Sequence, residues 1–140
     1  MPEYKKPLPI LDSDSVLFWE ACKRHELLIQ QCEECGSYRY PPRPICPNCF
    51  SLKARWNTSS GRGEVYTFTV ARVPLTPEWA PDVPYVVGVI QLDEGIRIVS
   101  NVVGCKPEDI TIGMPVDVTF DDVTDTITLP RFKPARENSQ

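Results

Sequence analysis

Cys32-Glu33-Glu34-Cys35-Gly36, answered ten residues on from Gly36 by Cys46-Pro47-Asn48-Cys49, is the stretch on which the reading of this chain turns. Two C-x-x-C pairs a short loop apart supply four soft thiolates, the ligand set that a structural zinc takes in tetrahedral geometry. Within each pair the turn lets both sulfurs face one ion, and Gly36 suits a turn that needs positive φ or close backbone approach. A closed four-thiolate shell has no open coordination position, so an ion held there braces the fold and activates no water. Cys32, Cys35, Cys46 and Cys49 are therefore the candidate ligands. Zinc is the expected ion, and iron in a rubredoxin-like site is its main competitor.

Six cysteines in a small chain could instead form a secreted disulfide framework. Two observations weigh against that reading. Four of the six pair at zinc spacing, and the opening MPEYKKPLPILDSDS carries no apolar leader. Cys22 and Cys105 stand alone and read as small buried hydrophobes rather than reactive thiols.

The 140 residues match one ordinary domain, or a small module joined to a compact one. Hydrophobic residues make up 41%, enough for a core, and no apolar run approaches the roughly 18 residues of a membrane span. A cytoplasmic protein is the expectation. Fifteen prolines favour turns, loops and edge strands over long helices. A net charge of −4 handicaps non-specific nucleic-acid binding, which draws on Lys and Arg neutralising phosphates.

Residues 1–11 read as an extended arm, with Pro2, Pro7 and Pro9 excluding helix and Leu8, Ile10 and Leu11 as apolar anchors. Asp12, Ser13 and Asp14 are N-cap candidates for an amphipathic helix over about 15–26. Its apolar face is Val16, Trp19 and Cys22, with Phe18 beside them, and a core role is favoured over docking on a partner. Lys23, Arg24 and His25 lie where the helix dipole favours positive charge. No motif gives His25 a catalytic partner, so it reads as solvated. Residues 27–31 form the strand that delivers Cys32, residues 38–40 begin the return, and Pro41-Pro42-Arg43-Pro44 stiffens the loop before Cys46. Trp56 packs the ribbon's exit against the next unit.

Residues 58–63 make a polar, glycine-bearing hinge, and the pattern beyond it turns to β. Strands are expected at 64–70, at 85–92 with Gly88 marking a bulge, at 96–103, at 116–120, and at 126–129 ending in Pro130-Arg131-Phe132. A long loop with Pro74, Pro77, Pro81 and Pro84 surrounds Trp79, and Pro107-Glu108-Asp109 reads as a helical turn. Five short strands with that turn between the third and fourth fit a Greek-key barrel of the OB type. No helix of crossover length separates them, which argues against a parallel sheet. The chain thus reads as mainly β, with a helical arm (1–28), a zinc ribbon (29–57), a five-stranded barrel (58–133) and a frayed tail (134–140).

Helical arm, ribbon and barrel in this order resemble a thiolase-associated family of small zinc-ribbon OB-fold proteins, long described only as a domain of unknown function. The resemblance covers nearly the whole chain. It is carried by Phe18-Trp19-Glu20, Gln31-Cys32-Glu33-Glu34-Cys35-Gly36, Tyr40-Pro41-Pro42-Arg43, Cys46-Pro47-Asn48-Cys49 and Ser60-Gly61-Arg62-Gly63-Glu64-Val65-Tyr66. It implies a non-catalytic accessory or scaffold subunit beside a thiolase-superfamily enzyme, of acetyl-CoA acetyltransferase, hydroxymethylglutaryl-CoA synthase or aldolase type. Such a subunit would brace its partner and shape the passage of acyl-CoA. The residues are compatible with this, since they offer no nucleophile–base pair, no open metal site and no phosphate-cradling loop.

Arg43, Arg62 and Arg72 are candidate contacts for coenzyme A phosphates, because Arg recognises phosphate bidentately; solvated surface or subunit contact explains them equally. Trp79 is a candidate interface anchor, with a lid over the barrel mouth as the competing explanation. Two other functions compete. A single-stranded nucleic-acid module would use aromatics such as Tyr66 and Phe68, which strict alternation puts on one face, although Glu64, Asp82, Asp93 and Glu94 are poor company for phosphates. A stand-alone acyl-CoA-binding protein would bind its ligand without a partner.

Overall fold

The fold follows from where apolar side chains alternate and where turns interrupt them. The structure, a computed structural model, describes Tyr4 and residues 6–135. Pro2 of the expected arm and residues 136–140 of the expected tail lie outside the described residues.

Helix α1 (Val16–Lys23) is shorter than expected, and its buried stripe is Phe18, Ala21 and Cys22 rather than Val16, Trp19 and Cys22. That i, i+3, i+4 set is one helix face, turned by about one position from the expected one. The Asp12 carboxylate opens the helix by accepting hydrogen bonds from the Ser15 and Asp14 backbone N–H groups (2.9 and 3.1 Å) and the Ser15 hydroxyl (2.9 Å). Its pKa is lowered, first by the Ser15 hydroxyl. The arm's apolar residues do not anchor it, since Leu8, Ile10 and Leu11 are exposed. Lys6 does so instead, through Asp82 and the rings of Tyr4 and Trp79.

The ribbon is a three-stranded antiparallel sheet in the order β2-β1-β3: β1 (Leu28–Cys32), β2 (Tyr38–Arg39) and β3 (Ala54–Thr58). The third strand was not anticipated from the sequence. Gln31 stitches the sheet, because its side-chain oxygen accepts from Arg55 and Asn57 on β3 while its amide donates to Gly36 O.

Strands β4 (Arg62–Ala71), β5 (Tyr85–Leu92), β6 (Arg97–Val102), β7 (Pro115–Asp122) and β8 (Thr128–Pro134) close into a barrel ordered β4-β5-β6-β8-β7. This is the OB arrangement expected. Its first strand pairs with β7 at Arg62–Glu64 and with β5 from Gly63 to Ala71, so Gly63 and Glu64 lie between the two. At Gly63 a Cβ would lie 2.4 Å from the Gln91 carbonyl oxygen, so only glycine permits the strands to approach this closely. The bulge lies on β4 at Tyr66, between Val65 and Thr67, and not at Gly88. Gly88 pairs regularly with Phe68 and Ser100. Because the extra residue breaks the period of two, Tyr66 is exposed while Phe68 packs on the core, so the two do not share a face. The last strand also runs further than expected, through Pro130 to Pro134, and the Ala135 N–H donates to Pro115 O. Short 3₁₀ turns at Pro77–Asp82 and Pro107–Asp109 fill the loops after β4 and β6.

Phe18, Cys22, Leu27 and Ile29 join Val65, Ile90, Leu92, Val116 and Phe132 in one buried cluster, with Trp56 packed against it. Helix, ribbon base and barrel therefore share a core, which fixes the metal knuckles relative to the barrel. Among the described residues no helix is long and apolar enough to cross a membrane.

Candidate metal centre and neighbouring clefts

Each knuckle is a tight turn closed the same way. Gly36 N–H donates to Cys32 O and Cys32 N–H to Ser37 O; Phe50 N–H donates to Cys46 O and Cys46 N–H to Ser51 O. The residue after each second cysteine takes positive φ, 77° at Gly36 and 66° at Phe50. Glycine does this at no steric cost, whereas phenylalanine is strained there.

These turns bring the Sγ atoms of Cys32, Cys35, Cys46 and Cys49 within 4.8 Å of one another. Cys32 and Cys49 sulfurs are 3.5 Å apart and those of Cys35 and Cys46 are 3.7 Å apart. Both distances are far beyond a disulfide bond of about 2.05 Å. They match the roughly 3.8 Å edge of a tetrahedron with metal–sulfur bonds of about 2.3 Å. Backbone N–H groups of Cys35 and Asn48 point at the sulfurs of Cys32 and Cys46. The Ser37 hydroxyl, chiefly, brings the Cys35 thiol down to about 5, and the Cys49 N–H, chiefly, lowers that of Cys46. The Cys35 and Cys46 thiolates suit a thiophilic cation. Cys49 goes the other way: the Ser51 N–H lowers it, but burial and then the sulfurs of Cys32, Cys35 and Cys46 outweigh that and push its thiol up to about 12. The four cysteines predicted as ligands could thus hold one tetrahedral ion, and no ligand position is left open.

The other two cysteines are not part of that cluster. Cys22 is buried on the inner face of α1, which pushes its thiol up to about 12, and half-buried Cys105 is raised by burial and then by Asp109.

Two clefts flank the barrel. The larger, about 530 Å³, is lined by Lys6 of the arm, Trp79, Tyr85, Cys105, Phe120 and Arg131 among others. Trp79 stacks on Tyr85 with ring centroids 5.1 Å apart and covers one side of it, as a lid would. Arg131 is held at its wall by Asp121 (3.0 Å) and Asn101 (2.6 Å). The smaller cleft lies where the ribbon meets the β5–β6 turn and is lined by Arg39, Arg43 and Arg97. The proposed contact residues are therefore dispersed: Trp79 faces the first cleft, Arg43 the second, and Arg62 and Arg72 are exposed on β4 and just beyond it. Arg39 was not singled out from the sequence, because nothing local marks a charged residue in a two-residue strand as buried.

His25 is not simply solvated. It sits at φ 63°, its Nε2 lies 3.1 Å from Asp122 Oδ1, and its ring stacks on Phe120 with centroids 5.1 Å apart. The Asp122 carboxyl is held below its usual range, first by the Thr128 hydroxyl and then by His25. Lys23 reaches the Asp125 carbonyl beside it. The pair clasps the end of α1 to the β7–β8 hairpin.

Residues 19–53 match the family described as the ChsH2 rubredoxin-like zinc ribbon domain, and residues 56–121 match the ChsH2 C-terminal OB-fold domain. The chain is 39% identical over 112 residues to a DUF35 domain-containing scaffold protein of Methanocaldococcus jannaschii, covering 78% of each. It is also 41% identical over 136 residues to a probable enoyl-CoA hydratase alpha subunit of Thermomonospora curvata. A 3-oxo-4,17-pregnadiene-20-carboxyl-CoA hydratase alpha subunit of Mycobacterium tuberculosis is 38% identical over 117 residues. The matches take in 96% and 84% of this chain but 41% and 37% of those proteins, so the chain spans about two fifths of their length. Among solved structures, a chain of the Ltp2-ChsH2(DUF35) aldolase superposes with a TM-score of 0.84 at 40% identity, covering 92% of this chain and all of that one. A DUF35 protein of Sulfolobus solfataricus, at 14% identity and a TM-score of 0.61, shares the fold. With a zinc ribbon and an OB barrel built on one core, the chain belongs to the DUF35 family.

Proposed function

We propose that this chain is a non-catalytic scaffold subunit of an enzyme complex that acts on acyl-CoA, with a thiolase-superfamily enzyme as its partner. The observation that carries the reading is the 40% identity to a chain of the Ltp2-ChsH2(DUF35) aldolase, a match that covers the whole of that chain. Relatives called scaffold proteins support the same role. The chemistry agrees, because the one cluster of metal-binding groups among the described residues is a four-sulfur set without a free position. In this reading zinc fills that set as a structural ion, and the four thiols stay reduced in the cytoplasm. Arg43, Arg62, Arg72 and Trp79 are the proposed contacts with acyl-CoA or with the partner.

The second knuckle offers a surface for the partner. Phe50 and Leu52 are 76% and 73% exposed, and Ile45 on the other side of the knuckle is 47% exposed, apolar side chains that a partner could cover. The nucleic-acid alternative is weakened by the β4 bulge, which leaves Tyr66 without Phe68 beside it on the outer face.

Co-expression with a thiolase-superfamily enzyme from the same source tests the proposal. A soluble, stoichiometric complex whose acyl-CoA turnover depends on both chains is the expected result. Turnover of an acyl-CoA by the isolated chain at enzyme-like rates would overturn it.

A further inference from the structure

The smaller cleft holds an unbalanced charge. Arg39 on β2 is only 5% exposed, yet among the described residues it makes no ion pair. Its Nε and Nη2 groups donate to the Arg43 carbonyl oxygen at 3.1 and 2.8 Å, and Nη1 is buried with no hydrogen-bond partner. A guanidinium cannot shed its proton in a protein, so burial leaves a full, under-satisfied positive charge beside the cleft.

Two more guanidiniums line the same cleft, which measures about 270 Å³. Arg97, on β6, lies 3.8 Å over the Tyr66 ring and donates through Nε to Gln91 Oε1 at 3.1 Å. That leaves the rest of its fork available. Arg43 is anchored by its backbone alone, its N–H donating to Gln30 Oε1 at 2.7 Å, and among the described residues its side chain makes no hydrogen bond or ion pair. The remaining lining is Tyr38, Tyr40, Pro47 and Ile96, without one carboxylate.

We propose that this cleft between ribbon and barrel binds the phosphate or diphosphate group of a phosphorylated small molecule. Three positive charges with no internal counterion match a multiply charged oxyanion better than a single carboxylate. Forked N–H donors also suit the several oxygens of phosphate. Both domains contribute, Arg39 and Arg43 from the ribbon and Arg97 from the barrel, so the bound group would also tie the two together. The inference extends the Arg43 part of the scaffold reading to a defined ligand group. Its test uses the isolated chain, so that its failure leaves the subunit role standing.

The test is a titration of the metal-loaded, ¹⁵N-labelled chain with inorganic pyrophosphate at low ionic strength, following the arginine side-chain signals, with metal content checked afterwards. Saturable shifts at Arg39 and Arg97 are expected. Affinity should fall at least about tenfold in Arg97→Gln and in Arg43→Gln. Both side chains are exposed, and the Arg43 variant keeps the backbone bonds to Arg39 and Gln30. Succinate should give no saturable shift. Absence of saturation with millimolar pyrophosphate, an equal response to succinate, or unchanged affinity in both variants would each overturn the proposal.

Discussion

The Glu94 carboxylate accepts hydrogen bonds from the Ser59 hydroxyl at 2.9 Å and from the Ser60 backbone N–H at 3.0 Å, fastening the β5–β6 turn to the joint between ribbon and barrel. Ser59, 8% exposed, in turn accepts from the Gly61 N–H at 3.0 Å. The joint, expected to be a hinge, is therefore pinned. Glu94→Ala removes the acceptor of both donors and should cost about 0.5–1.5 kcal/mol in chemical denaturation, since water replaces it at the exposed Ser60 N–H. Glu94→Gln, which keeps one acceptor oxygen, should cost less. Equal stability of all three proteins would mean that the joint swings freely.

Metal content gives the second prediction. Purified protein should carry one zinc per chain, and Cys46→Ser should lose it along with much of the ribbon's protection against hydrogen exchange. The helix and barrel should retain more protection, because Phe18, Leu27 and Ile29 are buried with the barrel residues rather than against the ion. Finding neither zinc nor iron, with the cysteine pairs oxidised, would contradict the assignment.

How much of this was legible beforehand differs by feature. The cysteine spacing identified the knuckles because a metal site is a local pattern of ligands. The barrel strands showed in their alternation and turn residues. What stayed hidden depends on contacts distant in sequence. The third ribbon strand alternates over only Ala54 and Trp56, too short a pattern to mark a strand, and is defined by its pairing with β1. The bulge at Tyr66 is a register shift against β5, invisible in either strand alone. Arg39 is buried with its guanidinium folded onto the Arg43 carbonyl of the next loop, and His25 meets Asp122 across 97 positions of chain.

A pH dependence follows from the clasp on α1. Asp122 lies below the ordinary carboxylate value of 3.8, first through Thr128 and then through His25. A carboxylate with a lowered folded-state pKa adds stability that is present above its unfolded value and is lost as pH falls through the folded one. The advantage of the wild type over Asp122→Asn should therefore shrink as pH is lowered from about 4. Denaturation midpoints measured across that range check this. An advantage that grows on acidification would contradict it.

Phe50 separates folding from docking. Glycine at this position removes about 1–2 kcal/mol of left-handed strain and restores about 0.5–1 kcal/mol of unfolded-state entropy. Phe50→Gly should thus leave the isolated chain as stable as before or slightly more so. If the second knuckle meets the enzyme partner, the same substitution should weaken the complex at least about tenfold, measured by pull-down against the wild type. Lost stability with an undiminished complex would show that the ring serves the fold instead.

The most direct test of the scaffold role is affinity purification of the tagged chain from its source cells under native conditions, with co-eluting proteins identified by mass spectrometry. A stoichiometric thiolase-superfamily subunit is the predicted result, and it would identify the complex that this chain braces. Elution of the chain alone, or with nucleic acid in place of an enzyme, would contradict the account.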